Sequence, residues 1–341
     1  MSGGVDSSVA GALLLEQGHE VVGVTMKLWG GSSDTGCCSV SDVDDARRVA
    51  QQLGVDHHVF NFGDGFQQHV VDPYVEAHAT GVTPNPCIEC NRHLKFSALL
   101  ERADTLGFDA VATGHHARIE QRDGTWHLCR GADADKDQSY VVHMLDQHAM
   151  SRTMFPVGDI TKTRVREMAS SLGLRTASKP DSQDVCFITS DGGRRTFLGD
   201  RIEFRPARVR DREGNEIGTV DAVELVTIGQ RRGLTLSGAP SRRFVLDVDV
   251  RNGEVVVGSA DDLLRRTERV QGLAWTHEPA SGQVLVQCSA HGEPQPASLE
   301  ASSDSVVVHW ETPQRRIAPG QSAVFYTLDN REVLGGGRIA P

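Results

Sequence analysis

Ser2-Gly3-Gly4-Val5-Asp6-Ser7-Ser8 opens the chain, a glycine-bracketed run of hydroxyls and one carboxylate that leads directly into apolar residues at helical spacing. Glycine permits a tight turn and close approach of backbone to a ligand, and the N–H groups at a helix start favour anions, so the run reads as a phosphate cradle. No lysine closes it. A Walker A loop needs Gly-x-x-x-x-Gly-Lys-Ser/Thr to hold the β and γ phosphates, and that class is set aside. The structural alternative is a Ser/Asp cap following a glycine turn.

Outward from the loop, Val9, Ala10, Leu13 and Leu14 recur at i, i+4 over Ser8 to Gln17 and stop at Gly18, which predicts a helix with a glycine C-cap. Glu20 to Leu28 is valine-rich and strand-like, and Gly30 to Gly36 reads as a loop ahead of Cys37-Cys38. Asp42 to Leu53, closed by Gly54, repeats the helix pattern, and Val55 to Phe62 reads as the next strand. Leu94 to Leu106, capped by Gly107, and then Phe108 to Gly114 continue the rhythm. The alternation predicts an α/β domain, a parallel sheet with helices on both faces. Ligands of such sheets collect beyond the carboxyl ends of the strands, where the loop, Met26 and Gly114 fall. A phosphate loop of this kind ordinarily follows a buried strand, yet this one begins at Met1, so either about five residues of central strand lie upstream of the given start, the favoured expectation, or the sheet tolerates a gap there.

The 341 residues suffice for a sizeable core and two or three domains. Hydrophobic content of 38% and charged content of 24% fit a globular protein, with no apolar run near the ~20 residues of a membrane span. A cytoplasmic monomer with no membrane partner is expected. Seven cysteines, Cys37-Cys38 adjacent and Cys87 and Cys90 in C-x-x-C spacing, point to reactive or metal-binding thiols rather than a disulfide framework. The formal charge of −11 argues against a uniformly basic nucleic-acid surface, but arginine pairs at 194–195, 231–232, 242–243, 265–266 and 315–316 allow a basic face on an acidic body.

Thr83-Pro84-Asn85-Pro86-Cys87-Ile88-Glu89-Cys90-Asn91-Arg92 reads as an extended, proline-fixed approach that places Cys90 just ahead of a helix, where helix N–H groups and Arg92 and Lys95 favour a thiolate. Half of a zinc site is the usual reading of Cys87 and Cys90, but no second such pair follows. Cys186, in Ser178-Lys179-Pro180-Asp181-Ser182-Gln183-Asp184-Val185-Cys186-Phe187, is either a second reactive thiol or a small buried residue.

The opening loop, Cys37-Cys38-Ser39, Thr83-Pro84-Asn85-Pro86 with Cys90-Asn91, Ala112-Thr113-Gly114-His115, Lys136-Asp137-Gln138-Ser139-Tyr140, Phe155-Pro156-Val157-Gly158, Asp181-Ser182 with Cys186-Phe187, and Thr227-Ile228-Gly229-Gln230-Arg231-Arg232-Gly233-Leu234 follow in one order. Together they resemble the bacterial tRNA-specific 2-thiouridylases, pyrophosphatase-loop enzymes with an adenine nucleotide alpha hydrolase-like fold. The resemblance extends to Pro319-Gly320-Gln321, Val324-Phe325-Tyr326 and Leu334-Gly335-Gly336-Gly337 near the end. It implies ATP-dependent, Mg²⁺-assisted replacement of the C2 oxygen of the wobble uridine of tRNA by sulfur from a persulfide-donor protein. Ser2, Gly3, Gly4, Val5, Asp6 and Ser7 would hold the triphosphate, and Met26 and Gly114 would border the adenosine. Cys186 would carry the persulfide and Cys90 would act as its partner, ending in a Cys90–Cys186 disulfide. Asn85, Pro86, Cys87, His115, Lys136, Asp137, Gln138 and Gln321 match positions the family sets against tRNA.

Two departures qualify the match. The family commonly has aspartate where this chain has Cys87, so Cys87, Cys90 and Cys186 could instead hold an iron–sulfur cluster. An Arg-Tyr pair used against tRNA falls near Ser289-Ala290. His115 read alone is a core histidine, and Asp137 read alone is a helix cap. Beyond Phe187 short valine-rich strands with turns at Glu213-Gly214-Asn215 and Asn252-Gly253 predict a small, mostly β domain at 197–264, after a catalytic domain at 1–196 and before a β-barrel at 265–341. Arg231-Arg232 and Arg315-Arg316 are expected phosphate contacts. Another pyrophosphatase-loop synthetase would not need Cys90 and Cys186, and a tRNA-binding protein without catalysis would not need the loop.

Overall fold

The computed structural model describes residues 1–29, 40–181, 185–188, 193–236, 242–302 and 304–341. Cys37 and Cys38 lie outside the described residues. The opening run enters α1 (Val5–Glu16), which buries Val5, Val9 and Ala10 against Val49 of α2 (Val40–Leu53) and Val165 and Ala169 of a helix at Lys162–Ser171. β1 (Gly23–Lys27) and β2 (His57–Asn61) pair in parallel, Gly23 opposite His57 and Lys27 opposite Asn61. β3 (Val111–Ala112) pairs in parallel with β6 (Thr153–Met154). Between them in sequence lies an antiparallel hairpin, β4 (Ala117–Arg122) and β5 (Thr125–Arg130), turned on Asp123 and Gly124 at φ 50° and 82°.

The parallel strands thus form two separate pairs; no ladder joins β1–β2 to β3–β6 among the described residues. Met1 runs along β1 instead. Its amino group donates to the Val24 carbonyl, and the Thr25 hydroxyl donates to the Met1 carbonyl at 2.7 Å.

A helical run kinked at Phe96, whose backbone is non-helical at φ −116° and ψ 15°, crosses residues 86–105: α-helical at Pro86–Cys90, π-helical at Asn91–Ala98, α-helical again at Leu99–Thr105. This corrects the expected helix at Leu94 to Leu106. Pro84 leads up to the helix as expected, but Pro86 starts it. Asn85 is its N-cap, its side chain accepting from the Cys87 N–H at 3.1 Å, and Pro86 occupies the first turn, where a missing N–H costs nothing.

Five strands, β7 (Ala207–Arg210), β8 (Glu216–Val220), β9 (Thr235–Leu236), β10 (Phe244–Asp249) and β11 (Glu254–Gly258), form one sheet in the order β10-β11-β7-β8-β9 around Val209, Val223, Val245 and Val255. Its hairpin turns carry Gly214 and Gly253 at φ 87° and 65°. Then β12 (Leu264–Trp275), β13 (Gly282–Gln287), β14 (Gln295–Ala301), β15 (Ser305–Arg315), β16 (Ser322–Tyr326) and β17 (Val333–Ile339) close a six-stranded antiparallel barrel packed on Val270, Val284, Val306, Trp310 and Phe325. Among the described residues no helix is long and apolar enough to cross a membrane.

The three parts meet at Thr83. Its N–H donates to the Pro319 carbonyl at 2.9 Å, its carbonyl accepts from Gln321 Nε2 at 2.6 Å, and its hydroxyl lies 3.4 Å from that of Thr227. A second tie runs through Arg130 at the end of β5. Its guanidinium lies 3.8 Å from the Tyr326 ring centroid and donates to Asp137 at 2.6 Å, Gln287 at 2.7 Å and Asn330 Oδ1 at 2.9 Å.

Candidate active site

The phosphate-cradle reading rests on backbone geometry. Gly3 has φ +70°, and a Cβ there would run into the backbone carbonyl of Asp42. Gly4 is the extended N-cap of α1, and no side chain caps the helix start. Ser8 Oγ and Ser7 Oγ turn back to the Gly4 carbonyl at 2.8 and 3.2 Å, and Ser2 Oγ sits 3.1 Å from Ser7 Oγ. The first-turn N–H groups, which have no intrahelical acceptor, are therefore left for a ligand. Gly114 closes one side: a Cβ on it would come within 2.7 Å of the Ser7 nitrogen and 2.8 Å of Asp6 Cβ. Met26 lies near the carboxyl end of β1, packed against apolar side chains.

Cations absent from the loop itself arrive from far along the chain. Lys162 Nζ donates to Asp6 Oδ1 and Oδ2 at 2.7 and 2.6 Å and lies 3.0 Å from Asp181 Oδ1. Lys179 Nζ donates to the Gly3 carbonyl at 3.0 Å, to Asp42 at 2.5 Å and to Asp45 at 2.9 Å. The His116 imidazole donates to Asp6 at 3.0 Å. Burial pushes the Asp6 carboxyl up, but the hydrogen bonds from His116 and Lys162 outweigh it and leave the group below its ordinary value. Asp181 is opposed in the same way by burial, and Lys136 and Lys162 hold it at about 2. Burial lowers the Lys179 ammonium, while Asp42 and Asp45 more than restore it. Sequence reasoning missed Lys162, Lys179 and His116. The missing Walker lysine was the signal that a counter-charge had to come from elsewhere.

Cys90 is not ahead of a helix start. It lies five residues into the helical run, buried, at the junction with the π-helical segment, a geometry frequent at functional sites. The helix-start thiol is Cys87, which is exposed at its surface; the protein around it pushes its thiol up, with Lys95 opposing. Cys90 and Cys186 both pack into one aromatic nest of Phe66, Tyr74, Phe187 and Phe197. Phe187, next to Cys186, is 4.9 Å from the Phe197 ring and 5.4 Å from Tyr74. Among the described residues no three His, Cys, Asp or Glu side chains are grouped to hold a metal ion. Cys87 is exposed, Cys186 half-buried and Cys90 buried.

The residues matched to RNA contacts divide. Lys136 is half exposed and donates to Asp181 at 2.9 Å. Gln138 exchanges backbone and side-chain hydrogen bonds with the backbone of His116 at 2.8 and 2.9 Å. Asp137 is buried and accepts from Arg130 at 2.6 Å, Gly131 N at 2.8 Å and the Ser139 hydroxyl at 2.7 Å, as a structural hub does. His115 is buried between Phe96 and Phe155 with Thr113 at 2.7 Å; burial, with Lys95 near it, holds its imidazole well below the usual range. Asn85 caps a helix, Pro86 is buried in its first turn, and Gln321 holds Thr83. Arg316 donates to the Leu246 carbonyl at 2.8 Å and Arg315 lies 5.8 Å over Phe244, so this pair ties the barrel to the central sheet. Arg231 and Arg232 are exposed.

Residues 1–190 match the family model described as the tRNA methyl transferase HUP domain, 195–259 the tRNA methyl transferase PRC-barrel domain, and 265–339 the aminomethyltransferase beta-barrel domain. The tRNA-specific 2-thiouridylase MnmA of Chloroflexus aurantiacus is 49% identical, covering 100% of this chain and 97% of its own length. The proteins of that name from Chloroflexus aggregans and Roseiflexus castenholzii are 46% and 44% identical, again over 100% of this chain and 97% and 98% of theirs. Among solved structures, NMN synthetase from Francisella tularensis overlaps 53% of this chain and 64% of its own at 16% identity and a TM-score of 0.33, too loose to carry an argument. The full-length relationship to these relatives places this chain in the tRNA-specific 2-thiouridylase family.

Proposed function

We propose that this protein is an ATP-dependent tRNA sulfurtransferase that converts the wobble uridine to 2-thiouridine, with AMP and pyrophosphate as co-products. The observation that carries the reading is the uncapped start of α1 behind Gly3 and Gly4, in a family member that also brings Cys90 and Cys186 into one aromatic nest. A uridine C2 oxygen is a poor leaving group. Its attack on the α-phosphate expels pyrophosphate and leaves a C2–O–AMP bond that a sulfur nucleophile can break. First-turn N–H groups of α1 take phosphate oxygens, and Met26 and Gly114 border the adenosine. Mg²⁺ arriving with the nucleotide would supply further charge neutralisation. The loop's one carboxylate, Asp6, is engaged by His116 and Lys162, which keeps it from repelling them.

A donor protein loads Cys186 as a persulfide. The terminal sulfur attacks C2 and AMP leaves; Cys90 thiolate attacks the Cys186 sulfur, the S–S bond to the transferred atom breaks, and a Cys90–Cys186 disulfide remains for an external thiol reductant to reopen. The base must leave the anticodon stack to reach these groups, and the Asn85–Cys87 turn, Lys136 and Gln138 are the residues expected to receive it. The test is incubation with tRNA, ATP, Mg²⁺ and a persulfide donor, followed by nucleoside mass analysis. Wild type should accumulate 2-thiouridine and Cys186→Ser should not. No product from wild type would overturn the reading; full activity of Cys186→Ser would overturn the persulfide assignment.

A further inference from the structure

A phosphate loop works only if its N–H groups are aimed before the ligand arrives. In this chain the aiming is done by side chains. A trans peptide is planar with its C=O and N–H pointing in opposite directions, so whatever fixes the Gly3 carbonyl also fixes the Gly4 N–H on the other side. Lys179 Nζ fixes that carbonyl at 3.0 Å, and Asp42 and Asp45, at 2.5 and 2.9 Å, fix Lys179. The Gly4 carbonyl is held in turn by Ser8 Oγ at 2.8 Å, which sets the Val5 N–H. An ammonium has three donors, and those of Lys179 are all engaged within the protein. Lys162 is similarly committed, to both oxygens of Asp6 at 2.7 and 2.6 Å and to Asp181 at 3.0 Å. Neither is a loose cation waiting for a phosphate.

We propose that Lys179 and Lys162 are positioning residues of the triphosphate subsite. Lys179 holds the left-handed turn at Gly3 so that the following N–H groups face the phosphates. Lys162 folds Asp6 onto His116 and neutralises the one negative charge that the loop would otherwise turn toward a polyanion. The inference rests on the ATP reading above and predicts a loss confined to the phosphate end of the nucleotide.

The experiment is calorimetric titration of the full chain with ATP and, separately, with adenosine, for wild type, Lys179→Met, Lys179→Arg and Lys162→Met. Each methionine variant should bind ATP about 10- to 100-fold more weakly, the range expected for loss of a charge-assisted contact. Adenosine should bind each within about threefold of wild type, and Lys179→Arg should recover part of the ATP affinity. If Lys162→Met fails to fold, Lys179→Met decides, since that side chain is 29% exposed and lies at the edge of the cluster. Unchanged ATP affinity, or equal weakening of ATP and adenosine, would overturn the proposal while leaving the ATP reading standing. Wild type that bound adenosine but no ATP would overturn both.

Discussion

Gly3→Ala is the sharpest perturbation the loop offers. Its φ of +70° is left-handed, which costs a residue with a side chain about 1–2 kcal/mol. The added Cβ also meets the Asp42 carbonyl, and because that atom is backbone no rotamer change relieves the contact. Forcing an extra carbon into such a place typically costs about 1–3 kcal/mol. The two effects together give roughly 2–5 kcal/mol. If the loop absorbs the strain by turning its Gly3 peptide, the cost appears as ATP affinity, roughly 30-fold or more at 1.4 kcal/mol per tenfold. If α2 yields instead, the cost appears as a lowered urea midpoint. ATP calorimetry and urea unfolding on the same preparation separate the two. Gly4→Ala is the internal control, since Gly4 is extended and a Cβ there would sit 3.4 Å from Ser2 Oγ, an ordinary contact. Its cost should stay below about 1 kcal/mol. A Gly3→Ala protein that matched wild type in both measurements, or that was milder than Gly4→Ala, would refute the argument.

Other outcomes follow from the buried charges. Arg130→Met strands the Asp137 carboxylate in the interior and should cost about 3–5 kcal/mol in urea unfolding, with Arg130→Lys intermediate; a loss under 1 kcal/mol, about what a surface pair is worth, would show that Asp137 is not buried as described. Asp6 and Asp181 lie below their ordinary values in the fold, Asp181 at about 2, so the stability they contribute is complete above about pH 4 and is lost as pH falls toward 2. Asp181→Asn should flatten that acid limb of the stability profile, and an unchanged limb would contradict the assignment. Tyr326→Phe removes the hydroxyl 3.1 Å from Ser139 and should cost about 1 kcal/mol, read from the thermal midpoint.

Much of the architecture was legible in local chemistry. Gly18, Gly54 and Gly107 end the helices they were expected to end, at φ 86°, 74° and 78°, and the turns at Gly214 and Gly253 fold back their hairpins. The hairpin at β4–β5 was missed although Asp123-Gly124 between alternating apolar residues is a strong signal for it, and with it the role of Arg130. The helix over 86–105 was placed too late because two prolines were read as extended chain when one of them was the first helical residue. The π-helical segment after Cys90 has no signature in periodicity. Lys162 and Lys179 stand 156 and 176 residues from their partners Asp6 and Gly3, and no local pattern joins residues so far apart. Asp137 and His115 show the opposite lesson. The family pattern marks them as RNA contacts, while the fold gives Asp137 internal partners in Arg130 and Gly131 rather than a helix to cap, and seats His115 beside Thr113 in the interior that its reading alone suggested.

Thr83 gives the barrel an unexpected standing. The peptide just ahead of the Asn85 cap is hung from Pro319 and Gln321 on one side and touches Thr227 on the other, so the helix that carries Cys87 and Cys90 takes its bearing from residues 144 to 238 positions downstream. A fault in the 318–321 turn would therefore present as a sluggish thiol rather than as weak RNA grip. The two closing parts of the chain are less a handle attached to an enzyme than the jig in which the helix of Cys87 and Cys90 is set.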